Sequence, residues 1–108
     1  MKRVKDLKVG DFCYAVNPLG AVLKLKVYSI DVLVEDKMVV SFDKGFIGIG
    51  YKDFCSLAMH HTDTEKLCGY ELFKTFNTHL FLEKEDVIEN LENTIERLKY
   101  CIEKLKEE

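Results

Sequence analysis

No stretch of this sequence approaches the roughly 18 consecutive apolar residues that a membrane span needs. Met1-Lys2-Arg3 runs straight into Val4-Lys5-Asp6, with no apolar signal core behind it. A cytoplasmic protein without a membrane partner is the expectation. The four cysteines, Cys13, Cys55, Cys68 and Cys101, are too sparse for a secreted disulfide scaffold, and no two of them form a Cys-x-x-Cys pair. They read as reduced thiols. A basic excess is also missing: residues 1–82 hold eleven Lys/Arg against ten Asp/Glu, and residues 83–108 hold five against nine. Because a nucleic-acid binder needs a positive stripe to neutralise phosphates, nucleic acid ranks behind protein as a partner. Gly45-Phe46-Ile47-Gly48-Ile49-Gly50 has neither the spacing of a dinucleotide fingerprint nor the Lys and Ser/Thr of a phosphate loop. No cofactor is expected.

What is present is an ordinary globular balance, 47% apolar and 32% charged over 108 residues, enough for one core with an appendage. Val9-Gly10-Asp11 turns into a strand, Phe12 to Val16, that stops at Asn17-Pro18-Leu19-Gly20. From Val22 to Glu35 the alternation starts with Leu23, Leu25 and Val27 on one face, then slips by one residue near Tyr28-Ser29 to Ile30, Val32 and Val34. Such a slip predicts a β-bulge in one bent strand or a junction between two. Glu35-Asp36-Lys37 is a turn, Met38 to Phe42 a strand, Asp43-Lys44-Gly45 a turn, and Phe46 to Tyr51 a further strand whose alternating glycines permit curvature. Phe54, Leu57 and Ala58 then fall at helical spacing, and Thr62-Asp63-Thr64-Glu65 has the form of a capping box opening a short helix that Gly69 would end. A last strand covers His79 to Leu82. Short strands with close turn signals predict a small antiparallel barrel, since closure removes exposed edges.

Leu7-Lys8-Val9-Gly10-Asp11-Phe12-Cys13-Tyr14, followed by a Val/Ile-rich strand, resembles the opening of SH3-like small barrels. Asn77-Thr78-His79-Leu80-Phe81-Leu82-Glu83-Lys84-Glu85-Asp86 is similar to the strand-to-helix ending of short phage and prophage proteins of uncharacterised function, which reads Gly-Lys-Thr-Val-Phe-Leu-Thr-Arg-Glu-Glu. The motif spans about ten residues, and here Glu83 replaces a capping Thr and Asn77 a Gly. The resemblance implies a mobile-element origin and a fold, and no activity.

Three chemistries can be drawn from the side chains. Cys55, His60, His61 and Cys68 lie within fourteen residues and could build most of a tetrahedral zinc site, although their spacing matches no standard module. The same residues could supply a cysteine nucleophile with His60 or His61 as base and Asp63 orienting it, but no local signature accompanies them. Packed or solvated thiols and histidines are the simpler account. Tyr14, Tyr28 and Tyr70 are candidates for a binding platform, since small barrels that take peptides or single strands present aromatics on one face.

Residues 83–108 carry the clearest pattern. Ile88, Leu91, Ile95, Leu98, Ile102 and Leu105 recur at spacings of 3, 4, 3, 4 and 3, placing every isoleucine at heptad a and every leucine at d. That choice favours a two-stranded, parallel coiled coil. Val87, Thr94 and Cys101 at g widen the stripe, so the rival arrangement folds the helix back on its own barrel. The expectation is therefore an α+β chain: an SH3-like antiparallel barrel over 1–82 and an amphipathic coiled-coil helix over 83–108. Its expected function is that of a non-enzymatic interaction protein, a phage or mobile-element accessory factor. The chain would homodimerise and bind an unidentified host protein or small ligand. A nucleic-acid-associated barrel is the first alternative, and a zinc- or cysteine-dependent enzyme the second.

Overall fold

The computed structural model describes residues 1–18, 20–46, 49–68 and 78–108; for 44–46, 49–55 and 67–68 the backbone alone is described. Six antiparallel strands follow one another: β1 (Phe12–Val16), β2 (Val22–Val34), β3 (Lys37–Phe46), β4 (Ile49–His60), β5 (Glu65–Cys68) and β6 (Thr78–Phe81). They form one sheet in the order β4-β3-β2-β1-β6-β5, curled into a nearly closed barrel, and among the described residues one α-helix, α1 (Lys84–Lys106), follows it.

Period-two alternation builds the interior. Cys13 and Ala15 on β1, Leu23, Leu25 and Val27 on β2, Met38, Val40 and Phe42 on β3, Met59 on β4 and Leu80 on β6 are all buried in one cluster. The β2–β3 ladder shifts register between Val27 and Ser29, where the sequence slips phase; Ile30 takes up the packing beyond the shift, but Val32 and Val34, expected on the same inward phase, are exposed toward the end of the strand. β2 is thus one bent strand. A 3-10 turn at Val4–Asp6 brings Val4 and Leu7 into the core, and the amides of Val4 and Lys5 donate to the carbonyls of Asp63 (2.8 Å) and His61 (3.1 Å). These bonds tie the start of the chain to the β4–β5 connection.

Three local expectations are corrected. Asp43-Lys44-Gly45 does not turn; β3 runs through it, because β2 is long enough to pair Lys26 with Asp43, Leu25 with Lys44 and Lys24 with Gly45. The strand expected over Phe46 to Tyr51 is divided instead, since Phe46 ends β3 and pairs with Ile49, which begins β4; residues 47 and 48 lie outside the described set. Neither helical segment between Phe54 and Gly69 forms: residues 54–60 continue β4 against β3, and Glu65–Cys68 is β5, paired with β6. Asp63 serves the preceding turn, its carboxylate accepting from the His60 amide at 3.0 Å. Ladder pairing with existing strands outweighs the weak helical preference of such short windows.

Helix α1 starts after Glu83, whose backbone is extended but whose side chain makes no capping bond. It packs across the outer face of β1 and β6, where Val87 is buried with Val16 and Phe81, and Tyr14, Val22 and Leu91 close round them. Gly20 sits under this contact with φ +85°, a conformation that favours glycine, and a Cβ there would lie 3.8 Å from Leu91 Cδ2. From Ile95 to Glu108 every residue is exposed. The first three turns of the helix therefore belong to the barrel and the rest projects beyond it.

Candidate functional site

The apolar stripe on α1 is split by this packing. Leu91 is half-buried against its own barrel, whereas Ile88 is 46% exposed, Ile95 50%, Leu98 57%, Ile102 52% and Leu105 68%. Val87 and Thr94, at heptad g, face the barrel side, and Cys101, also at g, is exposed. The fold-back arrangement thus holds for the start of the helix only. Over the projecting part, four isoleucines and leucines remain in water along one face. So continuous an apolar seam differs from the singly scattered apolar residues of an ordinary surface.

Two shallow grooves flank the helix where it meets the barrel. One, of about 350 Å³, runs between the end of β1 and the helix and gathers Asn17, His79, Asn90, Thr94 and Arg97. Thr94 Oγ1 donates to the Asn90 carbonyl (3.0 Å), and an Arg97 guanidinium nitrogen donates to Thr94 Oγ1 (3.3 Å). His79 stacks beside Phe81 and places Nδ1 3.8 Å from Glu65. The other groove, of about 290 Å³, is lined by Glu65, Asp86 and Glu89 with Phe81 at its base. One groove carries a guanidinium and the other three carboxylates, so the two flanks differ in charge.

Of the cysteine and histidine candidates, Cys55, His60 and Cys68 lie on strands, and His61 lies in the turn after β4. Cys55 and His60 both lie on β4, opposite Phe42 and Lys37 respectively. Five residues of extended strand separate their backbones by about 17 Å. Cys68 ends β5 opposite Thr78, and the side chains of Cys55 and Cys68 lie outside the described set. His60 Nδ1 approaches Asp36 at 3.6 Å and the His61 amide donates to the Asp36 carbonyl, so both histidines serve the β4 end of the barrel. Among the described residues, no three His, Cys, Asp or Glu side chains converge as a metal site. Cys13 is buried in the core, which pushes its thiol up to about 12.

The tyrosines do not form one platform. Tyr14 is half-buried in the helix-packing cluster, and Tyr28 is exposed four residues along β2 from Lys24, the register partner of Tyr14. Tyr70 lies outside the described residues. What the outer face of β1 and β2 does hold is a small cationic spot, with Lys24 Nζ 4.2 Å above the Phe12 ring and Lys26 paired opposite Phe12.

Compared with family models, curated proteins and solved structures, the chain has no match in any of the three. The site is accordingly read from its own geometry. Sequence periodicity located the stripe, but the grooves beside it were missed, because they arise from residues of β1, β6 and α1 that only the packing of the helix brings together. No helix of the described residues is long and apolar enough to cross a membrane.

Proposed function

We propose that this chain is a non-enzymatic interaction protein in which a small barrel is carried on a helix that pairs with the helix of a second copy. The observation that carries this reading is the exposed Ile/Leu seam continuing past the point where the barrel ends. Covering one half-exposed Ile or Leu contributes about 1 kcal/mol, so the ten such side chains of a symmetric pair contribute about 10 kcal/mol. Association costs roughly 4–15 kcal/mol, so a gain of this size is commensurate with a weak pairing that a concentration series can resolve. The sequence resemblance supports a mobile-element origin, and the rigid barrel carried on a pairing helix supports an accessory factor that binds a host protein or a small ligand.

Light scattering across a micromolar concentration series tests the pairing. A dimeric mass is expected for the unaltered chain and a monomeric mass for Leu98→Asp, which puts a carboxylate in the middle of the seam. A monomer at every concentration would refute the reading. The second reading, a nucleic-acid-associated barrel, draws on the Lys24/Phe12/Lys26 spot. Salt-sensitive submicromolar binding of labelled DNA or RNA, lost in a Lys24→Ala/Lys26→Ala variant, would place it first.

A further inference from the structure

Resting on the reading that the helix self-associates, we infer that the two helices of the dimer run antiparallel, with Ile88 layered against the partner's Leu105. The heptad position e carries this orientation. It is occupied in order by Glu85, Glu92, Lys99 and Lys106, all within α1 and all exposed. Flanking charges at e and g set the orientation of paired helices and here outweigh the parallel pairing expected from Ile at a with Leu at d, a choice that chiefly sets their number.

An antiparallel pair aligned along the whole seam brings e positions opposite e positions. Glu85 then faces the partner's Lys106 and Glu92 faces the partner's Lys99, and two-fold symmetry repeats both pairs. Every e residue meets its opposite charge. In a parallel pair each g residue faces the partner's next e residue, so Val87 would face Glu92, Thr94 would face Lys99, and Cys101 would face Lys106. No ion pair forms in that arrangement.

The helix dipole could also draw acids to the start of a helix and bases to its end. It would do so on every face. Position b, however, carries Glu89, Glu96 and Glu103 from end to end, and Glu103 and Glu107 sit in and after the last turn, against the dipole. Within α1, e is the one position that holds both signs, acids in the first half and bases in the second. Residues seven apart cannot pair within one helix either. The packing agrees with this choice, since the barrel covers the helix at Val87 and Leu91, on its g side, and leaves the e flank open to a second copy.

A charge-swap cycle tests the inference, with dimer dissociation followed by sedimentation equilibrium at low and high salt on Glu92→Lys, Lys99→Glu and the double variant. Each single change sets like charges opposite one another twice per dimer and is expected to weaken pairing about tenfold at low salt. The double variant is expected to return to within about twofold of the unaltered chain, with the differences shrinking at high salt. Singles without effect, or a double variant no tighter than the singles, would overturn the antiparallel arrangement while leaving the dimer standing. An unaltered chain that stays monomeric would instead remove the self-association on which the inference rests.

Discussion

At the scale of single residues, the two cysteines with described side chains stand at opposite extremes. Cys13 is fully enclosed between β1 and its neighbours, and burial in apolar surroundings disfavours the thiolate, whereas Cys101 projects from the helix into water. Brief alkylation of the folded protein followed by peptide mapping should therefore label Cys101 and spare Cys13 until denaturant is added. Labelling of Cys13 at the same rate as Cys101 would show that the barrel core is not closed as described. Such a contrast is illegible in the sequence, where both cysteines sit among apolar neighbours. Cys13 lies on the inward phase of a strand, and Cys101 on a helix face that has run past the barrel. The Cys55–Cys68 segment shows the same lesson in reverse, since proximity in sequence suggested a cluster and strand geometry spread Cys55 and His60 along β4.

Among the elements, α1 begins with its amides unserved by a side-chain cap, because Glu83 occupies the capping position with extended backbone (φ −127°, ψ 139°) and no bond. Thr or Asp there can accept from an amide of the first turn without changing the backbone. Glu83→Thr is expected to raise stability by about 0.5–1 kcal/mol, read as a higher midpoint in urea at unchanged slope. No change would mean that Glu85 and Asp86 already satisfy the helix start. The strands teach a different point. The bulge in β2 was legible because the inward residues visibly change phase at Tyr28-Ser29, while β4 and β5 were not. Their residues carry spacings compatible with a short helix, and only the presence of β3 and β6 alongside made extension the better way to satisfy the backbone.

For the molecule as a whole, one apolar stripe performs two tasks that substitution can separate. Val87 is buried against Val16 and Phe81, so Val87→Ala should destabilise the monomer by about 1–2 kcal/mol through lost burial and the cavity left behind. Ile102 is exposed on the projecting half, so Ile102→Ala should leave monomer stability within about 0.5 kcal/mol of the unaltered chain and weaken association. Urea denaturation at dilute concentration, set beside light scattering at high concentration, checks both; equal loss of stability from the two changes would mean that the stripe folds as one unit on the barrel. The sequence by itself determined the leading alternation of β2, its phase slip and the heptad repeat of α1, because local periodicity expresses which face of an element must leave water. Tertiary structure alone decided where β3 ends, that residues 54–60 and 65–68 are strands, and which part of the helical stripe the barrel covers. Those outcomes depend on what lies beside each segment, and a partner strand or a packing surface distant in sequence leaves no mark on the local pattern it overrides.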